Sequence, residues 1–128
     1  MSKTTLLDAA KNAAENAYAP YSKFKVGAAL EADNGEIITG CNVENVSFGL
    51  SNCAERTAIY RAIAEGIAPS SIKHIAIYTP TDEMHSPCGA CRQVIAEFCS
   101  KDTVFISSNK TSQKTWSVGE LLPDSFSF

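Results

Sequence analysis

The sequence predicts an α/β fold, a three-layer α/β/α sandwich around a central mixed β-sheet, on three observations. An amphipathic helical stretch at the start is followed by a strand-turn-strand pattern. Beyond it, helical and strand-length apolar patterns alternate, which calls for a sheet covered by helices on both faces. No repeat, low-complexity tract or linker divides the 128 residues, so residues 1–128 are expected to form one domain with a real hydrophobic core.

Leu7, Ala10, Ala14 and Ala17 recur at helical spacing and predict a first helix from about residue 3 to 18, ended by Pro20. The polar and aromatic Tyr21-Ser22-Lys23-Phe24 follows, with Phe24 read from the residues alone as a core anchor at the start of a strand. Val26, Ala28, Leu30 and Ala32 alternate, Asp33-Asn34-Gly35 supplies residues that tolerate positive φ, and Ile37, Thr39 and Cys41 continue beyond. This is a β-hairpin. Its second strand runs into Asn42-Val43-Glu44-Asn45, where alternation puts the Asn42 amide and the Glu44 carboxylate on one side of the chain. Taken alone, these two read as solvated loop polarity.

A second helix opens near Cys53, buries Ala58, Ile59, Ala62 and Ile63, and stops at Gly66. Ile72 to Tyr78 is an apolar run of strand length, suited to a central strand covered on both faces, with His74 as a packed or edge residue. Thr79 to Ser86 forms a loop, and Ser86-Pro87 has the composition of an ordinary helix start. In the helix that follows, Cys91, Val94, Ile95 and Phe98 share one face. Val104-Phe105-Ile106 and Thr115-Trp116-Ser117-Val118 read as two more strands turning near Asn109, and residues 119–122 as a single helical turn.

Composition narrows the functional classes. The net charge of −3, without a Lys/Arg cluster, offers no surface for a phosphate backbone and favours a small neutral ligand over a nucleic acid. No stretch approaches the roughly 18 apolar residues of a membrane span, and the first residues lack the apolar region of a signal peptide. A soluble, cytoplasmic protein is expected. Five cysteines fit a reducing compartment and a metal better than a disulfide framework, with Cys41 and Cys99 as small buried hydrophobes.

The other three cysteines carry the chemistry. Cys53 and the pair within Pro87-Cys88-Gly89-Ala90-Cys91 suit a catalytic Zn²⁺, which takes three protein ligands and keeps a fourth position open. Cys88 and Cys91 stand three apart, a spacing that puts both sulfurs on one face of a helix, and Cys53 is to be brought in by the fold. Glu55, two residues beyond Cys53, is left free to carry protons beside the metal. Three thiolates and Zn²⁺ leave one net negative charge, which Arg56, three residues from Cys53, is placed to offset through hydrogen bonds to sulfur. Each element also has a plainer reading. Asn52 to Glu55 is a capping-box pattern, Cys-x-x-Cys is a redox pair or half a zinc knuckle, and Arg56 is a solvated arginine. His85 competes as a ligand, and a fourth ligand from Cys41, Cys99 or a histidine would make the zinc purely structural.

Taken together, Cys53-Ala54-Glu55 and Pro87-Cys88-Gly89-Ala90-Cys91 match the signature of the zinc nucleobase deaminases. With Tyr18 to Phe24, Gly40 to Asn45 and Leu121 to Phe126, the chain resembles the small single-domain cytidine deaminases over nearly its whole length. The resemblance implies one zinc per subunit, ligated by Cys53, Cys88 and Cys91, with Glu55 catalytic and Arg56 supporting the sulfurs. It implies hydrolysis of cytidine and 2′-deoxycytidine to uridine and 2′-deoxyuridine, a step of pyrimidine salvage. By the same resemblance Phe24 lies against the base, Asn42 and Glu44 hold the sugar 3′-hydroxyl, and Ala54 contributes to the substrate site. It further implies a homotetramer with sites near subunit contacts, where Phe126 reaches the base in a neighbouring chain.

Overall fold

Strand pairing builds the molecule from a hairpin at one edge of the sheet. The computed structural model describes residues 3–126. Its elements are α1 (Lys3–Ala14), β1 (Gly27–Ala32), β2 (Ile37–Cys41), α2 (Ala54–Ala64), β3 (Ile72–Tyr78), α3 (Gly89–Phe98), β4 (Cys99–Ser108), β5 (Gln113–Ser117) and α4 (Val118–Leu121), with a 3-10 turn at Phe48–Leu50. The strands lie in the order β2-β1-β3-β4-β5. β1 pairs antiparallel with β2 and β3, α3 crosses over to make β4 parallel to β3, and β5 returns antiparallel. The expected mixed sheet therefore forms, with helices on both faces.

On one face Leu6 and Ala10 of α1 pack against Ala29, Ala76 and Ile106. On the other, Ala58 and Ile59 of α2 and Ile95 of α3 join Leu30, Ile75 and Phe105 in the larger core. This two-sided cover explains a departure from the alternation expected of β1. All six of its residues are buried, because Ala29 faces α1 and Glu31 pairs through its carboxylate with His74 Nδ1 at 2.9 Å. The inward stripe of α1 is Leu6, Ala10 and Ala14, with Leu7 at its edge.

α1 also ends at Ala14, before the expected boundary, and Pro20 is not what stops it. The N–H groups of Glu15, Asn16 and Ala17 bond to carbonyls three residues back, and Tyr18 then pairs with the chain beyond β2. Tyr18 N donates to Asn42 O at 3.0 Å and Glu44 N to Tyr18 O at 2.8 Å, so a long-range ladder takes over from the helix. β4 is longer than the apolar core of its sequence suggests, running from Cys99 directly after α3. Cys99 is buried as expected, whereas Cys41, at the end of edge strand β2, is half-buried. Phe128 lies outside the described residues.

Two features seat the start of α2. A Cβ at Gly40 of β2 would fall 2.4 Å from Ala58 N and 2.8 Å from Ala54 O, so glycine lets the helix backbone rest on the strand. Val43 and Asn52 exchange backbone hydrogen bonds of 3.0 and 2.9 Å, closing the loop that delivers Cys53. Gly66, at φ +92°, ends the helical run as its position predicts.

Candidate active site

Cys53 is the N-cap residue of α2 and Cys88 that of α3. Both thiols therefore sit where free N–H groups and the helix dipole favour a negative sulfur. Cys91 N donates to Cys88 Sγ at 3.5 Å, so Cys88 and Cys91 meet through a helix cap rather than along one helix face. The sulfurs of Cys53, Cys88 and Cys91 lie within 4.8 Å of one another, with Cys53 to Cys88 at 4.0 Å. Tetrahedral Zn–S bonds of about 2.3 Å place sulfurs roughly 3.8 Å apart, so this set fits zinc with little adjustment. Neither histidine, nor Cys41, nor Cys99 belongs to the cluster.

Arg56 Nη2 donates to Cys53 Sγ at 3.2 Å, as its position three residues along the helix predicts. Its guanidinium is held firmly protonated, chiefly by that bond, and its Nε is buried without a hydrogen-bond partner. A half-buried cation whose Nε is left unsatisfied fits a site built to hold an excess of negative sulfur. The Cys53 thiol is lowered to about 5, first by a hydrogen bond from Cys91 and then by Arg56, against the opposing effect of burial. Cys91 is pushed up, because in donating to that thiolate it keeps its proton, and burial acts in the same direction.

Glu55 occupies the second position of α2, 5 % exposed, and its carboxyl is raised above the usual range, chiefly by burial. Hydrogen bonds from its own backbone N–H and from Cys91 work the other way. The capping box that Asn52 and Glu55 could make does not form. Cys53 is the N-cap without a side-chain cap bond, and Asn52 Nδ2 donates instead to Thr57 Oγ1 at 3.1 Å.

A cavity of about 220 Å³ opens beside these groups. Phe24, Asn42, Cys53, Ala54, Glu55 and Cys88 all line it, bringing together residues from the β1 approach, the β2 exit and both helix starts. Arg56 and Cys91 stand behind that wall, joined to it through Cys53. The Asn42 amide spans the entrance to β1, accepting from Val26 N at 2.8 Å and donating to Phe24 O at 2.7 Å. Glu44 is outside the cavity lining, and its carboxylate is tied down: Tyr21 N and Ser22 N donate at 3.0 and 3.1 Å, and Ser22 Oγ donates as well. These bonds lower its pKa, the Ser22 hydroxyl most. Phe126 is also outside the lining and is 69 % exposed in the single chain.

Sequence reasoning gave no site role to Val26, Ile77, Thr79 or Ser86, which together with His85 complete the cavity wall. The signal for two of them was available. Ile77 and Thr79 stand at the carboxyl end of β3, the end of a parallel strand at which ligands sit in α/β sheets.

The family profile "Cytidine and deoxycytidylate deaminase zinc-binding region" matches residues 1–107. A cytidine deaminase of Sporosarcina psychrophila is 48 % identical over 123 residues, 95 % of this chain and 89 % of that protein. One from Halalkalibacterium halodurans is 46 % identical over 127 residues, 98 % of this chain and 95 % of the other. The crystal structure of cytidine deaminase from Burkholderia pseudomallei superposes with a TM-score of 0.95 at 48 % identity, covering 98 % of this chain and all of that one. Full-length likeness in sequence and fold converges on the region where Cys53, Cys88 and Cys91 form the zinc-binding set, and on this ground the chain belongs to the cytidine deaminase family of zinc hydrolases.

Proposed function

We propose that this chain hydrolyses the exocyclic amine of cytidine and 2′-deoxycytidine, giving uridine or 2′-deoxyuridine and ammonia, as a cytoplasmic step of pyrimidine salvage. The observation that carries the reading is Glu55, a buried carboxyl that neither caps its helix nor joins the sulfur cluster, yet lines the same cavity as Phe24 and Asn42. Bound zinc, one per subunit, supplies the Lewis acidity that lowers the pKa of water. Glu55 takes a proton from the attacking water and delivers it to N3 of the ring, then takes the proton of the hydroxyl added at C4 and carries it to the departing amine as the C4 carbonyl forms. Burial raises its pKa, and a carboxyl less acidic than usual holds a proton more readily between taking it up and passing it on. Arg56 offsets the sulfur charge through Cys53 and keeps the cysteine trio in place.

Phe24 lies against the pyrimidine, and Ala54 lines the wall beside it. Asn42 and Glu44 hold the sugar 3′-hydroxyl. Each oxygen and nitrogen of the Asn42 amide has used one backbone bond, which leaves a hydrogen and a lone pair for a ligand. An uncharged sugar fits better than a phosphate here, because Glu44 is held as an anion by the Ser22 and Tyr21 bonds. Residues 1–128 act as one catalytic domain within a homotetramer, and Phe126 completes the site of a neighbouring copy. No nucleic acid or membrane takes part, and no helix among the described residues is long and apolar enough to cross a membrane.

Ammonia release by the zinc-loaded protein tests this directly, with cytidine, 2′-deoxycytidine, cytosine and cytidine 5′-phosphate offered in parallel. Release from the two nucleosides, by a species that sediments as a tetramer, is expected. Preference for the phosphate, or silence with all four, would overturn it.

A further inference from the structure

His85 is left over from the zinc site, and its position gives it another use. It lies in the loop between β3 and α3, three residues before Cys88, yet it is not in the sulfur cluster. Its side chain lines the reaction cavity. There the imidazole meets the Phe24 ring edge-on, with centroids 5.2 Å apart and planes at 64°. Among the described residues neither ring nitrogen has a hydrogen-bond partner, so the aromatic contact is what fixes the ring. The backbone beneath it is secured: Ser107 Oγ, fully buried in β4, donates to His85 O. Phe24 itself sits in a connecting segment, between Lys23 at φ +61° and the start of β1, and its carbonyl is held by Asn42. Its ring has no comparable anchor but His85 among the aromatic contacts of the described residues.

We propose that His85 is a positioning residue for the substrate base: its ring fixes the orientation of Phe24, and so sets the wall on which the pyrimidine stacks. The inference rests on the reading of Phe24 as the stacking residue. A stacking wall holds the base equally in the ground state and the transition state, so disturbing it raises KM and leaves kcat nearly unchanged. An edge-to-face pair of this kind accounts for an effect of about fivefold.

The test is a double-mutant cycle on the zinc-loaded enzyme, with zinc content and melting temperature recorded for each protein. His85→Ala is expected to raise KM for cytidine about fivefold at constant zinc and nearly constant kcat. His85→Phe, which keeps the aromatic edge, restores KM, and His85→Gln, which keeps polarity alone, does not. In a Phe24→Ala background, His85→Ala adds nothing further. If Phe24→Ala raises KM but His85→Ala does not, or if the two effects add independently, the positioning role is overturned while the stacking reading stands. Rescue by His85→Gln instead of His85→Phe overturns it too, by making the imidazole a polar contact. An unchanged KM in Phe24→Ala overturns both.

Discussion

Asn52 to Glu55 at the start of α2 and Ser117 to Glu120 at the start of α4 carry the same pattern, a capping side chain followed three residues later by glutamate. In α4 the box closes. Ser117 Oγ accepts from Glu120 N at 3.2 Å, and Glu120 Oε1 accepts from Ser117 N at 2.8 Å. Those bonds hold the exposed Glu120 carboxyl below its usual range. In α2 the box stays open: Asn52 turns to Thr57, a cysteine becomes the N-cap, and Glu55 is buried with its carboxyl raised. A missing cap costs about 1 kcal/mol. A glutamate at a helix start is structural when the N-cap backbone and side chain close the box with it, and is free for chemistry when the fold withholds that N-cap partner and removes water.

Beyond Glu55 itself, the largest effect that would sharpen this contrast falls on Arg56, the cation that lets α2 begin with thiolate and carboxylate together. Arg56→Gln is expected to lower zinc affinity and kcat/KM by about 10- to 100-fold, as loss of a group supporting metal ligands does. Competition with a chelator and steady-state kinetics would measure both, and an unchanged affinity would break the link between Arg56 and the sulfurs.

Next comes pH, where the two glutamates should act with opposite sign. In zinc-free protein, Glu55 keeps its proton when the unfolded chain has lost its own near pH 4.3. Its contribution is therefore full below that value and is lost as pH rises through the raised folded pKa. Glu55→Gln should thus be more stable than the parent at neutral pH in urea melts of the zinc-free forms. Glu120 does the reverse. Its contribution is present above about pH 4.3 and is lost as pH falls through the lowered folded pKa.

The smallest effect belongs to Glu120→Gln. It should lower the melting temperature by no more than a few degrees at neutral pH and leave turnover untouched, since an exposed box supports only a one-turn helix. A large loss of activity would mean that α4 bears on the site more strongly than its cap implies.

Such contrasts show where a sequence can be read and where it cannot. Cys53, Cys88 and Cys91 were legible because metal chemistry constrains residue type and short spacing at once, and the contact of Arg56 with the Cys53 sulfur because three residues of helix bring them together. The α/β layers were legible from periodicity. What escaped depends on distant partners. The end of α1 is set by Tyr18 pairing with Asn42 and Glu44, and no local signal marks it. Glu44 looked available for a ligand, and the fold commits most of its carboxylate to the Tyr21-Ser22 turn. Arg92 drew no notice, yet its guanidinium bonds Pro87 O and Leu121 O at 2.9 Å and Ser86 Oγ at 3.1 Å, tying the approach to Cys88 to α4. The pairing of Phe24 with His85 likewise joins two loops that only the assembled sheet brings together.

The central claim is that the carboxylate withheld from the α2 cap carries the protons. It is tested most directly by ammonia release from cytidine by Glu55→Gln and the parent protein at matched zinc content. The account predicts that the folded, zinc-loaded variant loses at least about 100-fold in kcat, the lower end of what a general acid-base group contributes. A variant that keeps most of its turnover would contradict it and return Glu55 to the role Glu120 plays, a residue that only helps its helix begin.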